Sequence, residues 1–147
     1  MATAYESANL VLKLYDLRRE ARIREAREWF ALRFQPTTFD DVMAVLMGPK
    51  NAFFRMVVSY WEMAAAFVND GAIDEGLFTD ANTEHMVAFA KVEPFLPELR
   101  AALGNPEYLA QLERLAMRVP NARARLAEVR ERFRELGTQL GETTAAA

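Results

Sequence analysis

Apolar side chains recur along this chain at steps of three and four residues, the spacing of one face of an α-helix. Residues 51–70 are the most apolar stretch, and about two-thirds of the circumference of a helix there would need burial. The remaining narrow polar stripe contains Arg55, Ser59, Glu62, Asn69 and Asp70. This pattern predicts a central helix with neighbours on several sides. No stretch alternates as a strand does, so the sequence predicts an all-α fold.

Helix-start and helix-stop residues divide the rest of the chain into a bundle of about five to seven helices. Gly71 ends the central helix, and Asp74 caps a short turn that runs to residue 78. Thr79 or Asp80 is the expected cap of a helix over residues 81–93. Pro94 and Pro97 either kink that helix or restart it as a second one. Asn105 followed by Pro106 predicts the next helix start.

The N-terminal segment predicts one long helix over residues 7–34, ended by Pro36. Both ends of this segment are apolar, but eight of the eleven residues from Arg18 to Glu28 are charged. These charges surround the helix instead of lying on one face, so a core cannot hold its middle. The pattern indicates a helix that projects from the body or meets a charged partner.

The last helix is predicted to begin after Pro120 and to carry a heptad seam with two-stranded spacing. The seam residues are Ala122, Leu126, Val129, Phe133, Leu136 and Leu140. This seam favours self-association, and the expected state is a homodimer. Residues 141–147 are expected to form a frayed tail. Without an internal repeat or a flexible linker, residues 1–147 are predicted to be one helical domain.

Part of the chain resembles an all-helical bacterial family that is described only as a domain of unknown function. The residues that carry the resemblance are Tyr60-Trp61-Glu62, Gly71-Ala72-Ile73-Asp74-Glu75 and Leu77-Phe78, within about residues 51–96. Members of that family often have an N-terminal membrane segment, whereas this sequence has no apolar run of that length. The resemblance implies a helical fold and assigns no activity.

Composition limits the cellular compartment and the classes of binding partner that can be expected. The chain has 147 residues, a net charge of −3 and no cysteine, so disulfides and cysteine ligands are excluded. No signal peptide or membrane span is evident, and a cytoplasmic protein is expected. Arginine-rich runs at residues 18–27 and 123–134 alternate with glutamates that cancel most of their field. A nucleic-acid or membrane partner is therefore not expected.

The residue types that catalysis needs are scarce. His85 is the single histidine, and the residue three positions before it is Asn82, so no Glu-x-x-His metal pair occurs. Phosphate-binding glycine loops and a nucleophile elbow are absent as well. No catalytic residue, metal site or cofactor is predicted, and the interpretation leans towards a protein that is not an enzyme.

The candidate binding or interface residues are Arg55, Tyr60, Trp61, Glu62 and His85. The leading hypothesis is a non-enzymatic interaction or regulatory module that self-associates, with a further protein partner left open. The alternative is a small-molecule-binding bundle whose pocket lies near Tyr60, Trp61 and His85. A third hypothesis, an enzyme of unfamiliar type, requires Glu62 and His85 to converge in one cleft.

Overall fold

The computed structural model describes residues 1–146, with side chains through residue 142. Nine α-helices and no strand are found in this part of the chain. They are α1 (Ala4–Arg18), α2 (Ala21–Leu32), α3 (Phe39–Leu46), α4 (Asn51–Asn69), α5 (Glu75–Ala81), α6 (Glu84–Val92), α7 (Leu96–Leu103), α8 (Ala110–Ala116) and α9 (Ala122–Ala146). The predicted all-α class is confirmed, and the number of helices is slightly above the predicted range.

Every one of these helices contributes a buried side chain to one continuous apolar core. Helix α4 contributes the most, with nine buried side chains, and Trp61 at its middle is only 1% exposed. Helices α2 and α8 pack against α4. The apolar pattern of residues 51–70 therefore predicted the central helix correctly.

The predicted long N-terminal helix is wrong, because the segment is divided into α1 and α2. The break lies in the charged middle, where the carboxylate of Glu20 accepts hydrogen bonds from the backbone N–H groups of Arg22 and Ile23 at 2.9 and 3.1 Å. A glutamate that caps a helix start satisfies donors that a continuous helix would use internally. The break lets α2 turn and bury Phe30, which is 2% exposed.

Two arginines of the charged middle are held by contacts within the chain. Arg27 forms a two-pronged ion pair with the Glu84 carboxylate, at 2.9 and 2.7 Å, and also donates to the Arg18 carbonyl at 3.0 Å. Arg18 in turn donates to the Asn82 side chain at 2.8 Å. These contacts join both N-terminal helices to the start of α6.

Several predicted helix starts are confirmed, and others are displaced. Asp74 caps α5, but that helix extends to residue 81, and the next one begins at Glu84. Asn105 starts only a turn, which ends at Leu109 with a φ of 57°, so α8 begins at residue 110. A 3-10 turn at residues 93–95 joins α6 to α7, which separates the two prolines into different elements.

Helix α9 packs across α6 and α2 of its own chain, which corrects the interpretation of its seam. Leu126 is fully buried, and Gln35 donates to the Phe133 carbonyl at 2.8 Å. A Cβ atom at Gly137 would lie 2.5 Å from the Leu32 carbonyl oxygen, so a side chain there would collide with α2. Most of the seam is therefore used within the chain. The helix continues to residue 146, into the stretch predicted as a tail, and residue 147 lies outside the described residues.

The described helices do not include one that combines the length and the apolar character needed to cross a bilayer.

Candidate functional site

Three residues of the polar stripe of α4, Arg55, Ser59 and Glu62, line an open groove of about 590 Å³ between this helix and residues 105–109. Arg55 is exposed there, and its contact with the Asn51 side chain is long, at 3.4 Å. The hydroxyl of Ser59 donates to the Arg55 carbonyl, so it is used within the helix. Among the described residues, the Arg55 guanidinium is therefore the cation that this groove presents to an approaching group.

Glu62, a predicted site residue in the same groove, has a structural role. Its two carboxylate oxygens accept hydrogen bonds from the backbone N–H groups of Gln111 and Leu112, each at 2.8 Å. These N–H groups belong to the first turn of α8, where a negative charge also complements the helix dipole. Glu62 caps α8, and each of its carboxylate oxygens already accepts one backbone hydrogen bond.

Tyr108 is the aromatic residue of this groove, and the sequence hypothesis did not single it out. Burial raises the pKa of its hydroxyl to about 12, with Glu62 adding to the rise and Arg55 opposing it. The hydroxyl is thus neutral near pH 7 and can donate a hydrogen bond.

Tyr60 and Trp61 do not line the groove of Arg55, because both rings point into the core. Tyr60 is 7% exposed, its hydroxyl donates to the Leu14 carbonyl of α1, and burial raises the pKa of that hydroxyl to about 12. The two rings meet edge to face with centroids 4.8 Å apart. They contribute packing area between α1 and α4, and Tyr60 also lines an open groove of about 900 Å³ beside these two helices.

His85 is buried against the other side of Trp61. Its ring centroid lies 6.1 Å from that of Trp61 and 5.1 Å from that of Phe78, and the residue is 3% exposed. Burial lowers the pKa of His85 to about 4, so the imidazole is neutral at pH 7. Within the described residues, His85 Nδ1 and Trp61 Nε1 are both buried without a hydrogen-bond partner.

The structure does not bring Glu62 and His85 together. Glu62 lines the 590 Å³ groove beside α8, whereas His85 lines a separate groove of about 540 Å³ beside α9. No residue is shared by the two linings. The convergence that the enzyme hypothesis requires is therefore not present. In the described part of the chain, no group of three or more His, Asp or Glu residues is placed to hold a metal ion.

Lys91 is a buried charged residue that sequence reasoning missed. Its ammonium donates to the carbonyls of Phe30, Ala31 and Phe34 at 2.8, 2.7 and 2.7 Å, which lie at the C-terminal end of α2. Burial lowers the pKa of Lys91 to about 7, with Arg134 contributing, while the three carbonyls favour the protonated form. The signal was a lone lysine within the apolar run at residues 87–92.

Comparison with known proteins gives one match. The family model described as "Domain of unknown function (DUF4760)" matches residues 3–119, which extends well beyond the stretch on which the sequence resemblance was based. The matched range covers α1 to α8 and stops before α9. No curated protein and no solved structure matches the chain. The chain therefore belongs to the DUF4760 family, a helical domain of unknown function.

Proposed function

We propose that this chain is a non-enzymatic helical interaction module that self-associates through α1. The observation that carries the proposal is how little of α1 is buried. Ser7 and Leu14 are its only buried side chains, whereas Tyr5, Leu12 and Tyr15 are 78%, 62% and 47% exposed. Exposed apolar side chains gathered on one helix indicate a surface that is covered by a partner.

These three exposed residues and the half-buried Ala8 form a single stripe, which we call the α1 outer stripe: Tyr5, Ala8, Leu12 and Tyr15. Their spacing of three, four and three residues places them on one helix face. Residues 7 and 14, which dock α1 on the body, lie on a different face. The α1 outer stripe therefore remains accessible while α1 stays attached.

A second copy of the same chain is the partner that this stripe fits. The spacing is the same when it is read in either direction, with a tyrosine at each end. An antiparallel pair of α1 helices would therefore place Tyr5 opposite Tyr15 at each end, where the two rings can pack together, and Ala8 opposite Leu12 in the middle, where a small residue meets a large one. Such self-complementarity is what a two-fold interface requires.

The proposed contact is apolar. The exposed charged residues Glu6 and Lys13 lie on a different face of α1 from the α1 outer stripe. Because α1 is only 15 residues long, the interface is small, and we expect an affinity on the order of micromolar.

Sedimentation velocity across low to high micromolar concentration tests the proposal. We expect a monomer–dimer equilibrium that Leu12→Glu abolishes. Leu103→Glu is the matched control, since Leu103 is 46% exposed on α7 and away from α1. A wild type that stays monomeric at high micromolar concentration contradicts the proposal, as does an equal effect of both substitutions.

Disulfide trapping tests the direction of helix pairing. The chain has no native cysteine, so any disulfide must join the introduced residues. A chain carrying Ala8→Cys is mixed with one carrying Leu12→Cys under mild oxidation. Antiparallel pairing predicts that the mixed disulfide forms faster than either homodimer. Faster formation of the 8–8 and 12–12 homodimers would contradict the antiparallel arrangement.

The proposal assigns the module to the bacterial cytoplasm, without a nucleic-acid or membrane partner. The lack of cysteine and the alternation of arginine with glutamate support this assignment. A further protein partner on the same stripe remains compatible with self-association. The alternative function, small-molecule binding, is favoured by the groove at His85.

A further inference from the structure

The groove of about 540 Å³ at His85 has the size of a small-molecule site. It lies between the α5–α6 junction and the first half of α9, and we call it the His85 groove. Its apolar lining includes Met86, Val87, Val129 and Phe133. The wall from α9 lies outside residues 3–119, so this side of the groove is not part of the family match.

A buried polar side chain without a partner lies at this groove. His85 is only 3% exposed, and its Nδ1 has no hydrogen-bond partner among the residues that the structure describes. Nδ1 is fully buried next to Trp61, whose Nε1–H also lacks a partner, whereas Nε2 is not among the fully buried unpaired atoms. A neutral imidazole has one donor and one acceptor nitrogen. When the proton is on Nε2, Nδ1 is an acceptor and suits the Nε1–H donor of Trp61. The Nε2–H edge of the imidazole is then available to a ligand in the groove.

The charged residues that line the His85 groove are both cations. Arg125 and Arg132 lie one above the other on α9, both are exposed, and neither forms an ion pair in the described part of the chain. No aspartate or glutamate lines the groove. Thr83, at the N-cap of α6, also faces it and makes no capping hydrogen bond with its hydroxyl.

We propose that the His85 groove binds a small carboxylate with an apolar body. The carboxylate lies at Arg125 and Arg132, because guanidinium groups match the planar geometry of a carboxylate. The apolar body of the ligand lies against Val129 and Phe133. The imidazole edge of His85 provides a polar contact at one end of this apolar wall. This binding activity is separate from self-association through α1.

The single histidine makes the site directly observable. In uniformly ¹⁵N-labelled protein, the imidazole gives one set of proton–nitrogen correlations, which also report the tautomer. Decanoate, below its micellar concentration, is the probe. Decanol and decyltrimethylammonium test the same apolar body with a neutral and a cationic head group. We expect saturable shifts of the His85 signals with decanoate, and at least tenfold weaker binding of the other two probes.

Arginine variants test the charge requirement without disturbing the core. Arg125→Gln and Arg132→Gln are each expected to weaken decanoate binding by about three- to tenfold, the effect of losing one partly exposed charged contact. Arg114→Gln is the matched control, because Arg114 is exposed on α8 and does not line the groove. It is expected to bind decanoate as the wild type does.

Three results would overturn the proposal. They are His85 signals that do not move with decanoate, equal binding of decanol and decanoate, and an equal effect of the groove and control arginines. The monomeric Leu12→Glu variant separates this test from the proposed function. We expect it to bind decanoate with wild-type affinity, whether or not the wild type forms dimers.

Discussion

The stability of this protein should fall steeply between pH 6.5 and pH 4 because of one residue, His85. Burial lowers its pKa from 6.5 to about 4, so the folded protein disfavours the imidazolium that the unfolded chain readily forms. Above pH 6.5 both states are neutral, and His85 makes no pH-dependent contribution. As the pH falls below 6.5, the unfolded chain takes up the proton first, and the free energy of unfolding decreases.

The magnitude follows from the difference between the two pKa values. One pKa unit corresponds to about 1.4 kcal/mol, so the loss accumulates to about 3 kcal/mol by pH 4. A domain of this size is commonly stable by about 5–15 kcal/mol, and the loss is therefore a large fraction of the total. Below pH 4 the folded protein also protonates His85, and this contribution stops growing.

Urea unfolding of the wild type and His85→Leu, measured by tryptophan fluorescence at several values between pH 7.5 and pH 4, isolates the effect. Carboxylates also titrate at the lower end of this range. Glu6, Glu20 and Asp41, for example, have pKa values lowered by backbone hydrogen bonds. Both proteins contain these carboxylates, so the carboxylate contributions cancel when the two unfolding free energies are subtracted. The pH dependence of the difference then comes from His85.

We expect the stability advantage of the wild type over His85→Leu to shrink by about 1.4 kcal/mol for each pH unit below 6.5. A difference that stays constant across the range would refute the reasoning, because it would mean that the imidazole titrates normally in the fold. A difference that grows as the pH falls would mean that a partner stabilises the imidazolium.

Two further predictions concern side chains that bind backbone groups. Lys91→Met should lower the free energy of unfolding by about 2–3 kcal/mol in urea denaturation, because it leaves three carbonyls at the end of α2 without their donor. Lys13→Met, at an exposed lysine, should change it by less than about 0.5 kcal/mol, and equal effects would contradict the role of Lys91. Glu62→Ala should cost about 1–2 kcal/mol and increase amide exchange at residues 111 and 112, since both N–H groups lose their acceptor. Amide protection that is unchanged there would contradict the cap.

The sequence was sufficient for the class of fold and for the central helix, because both depend on a local period. The wide apolar face of residues 51–70 indicates directly how much of this helix is buried, and α4 contributes nine buried side chains. Glycine and aspartate at residues 71 and 74 act over a few residues, so their effects were also readable. Displaced boundaries occurred where two signals competed, as at residues 79–84, where the last turn of α5 takes up the residue expected to cap the next helix.

The candidate site was less predictable, because it depends on which elements meet. A helical wheel placed Arg55 and Glu62 on the polar stripe of α4 and Tyr60 on its apolar side, but only packing decides what each side chain touches. Helix α8 brings its free N–H groups to Glu62, and α1 brings a carbonyl to Tyr60. The groove at His85 requires α9, whose seam was interpreted as a surface for another chain.

The polar residues that a sequence presents as functional candidates are in large part those that complete helix ends in this fold. Glu20, Glu62 and Lys91 each bind backbone groups at a helix end, and Tyr60 donates to a backbone carbonyl of the neighbouring α1. Many short helices create many such ends, so a polar side chain near the core has a structural use by default. A buried polar atom that still lacks a partner therefore carries more information about function than a conspicuous charge does. By that criterion His85 ranks above Arg55 and Glu62, because its Nδ1 remains unpaired while an apolar groove with two cations lies beside it.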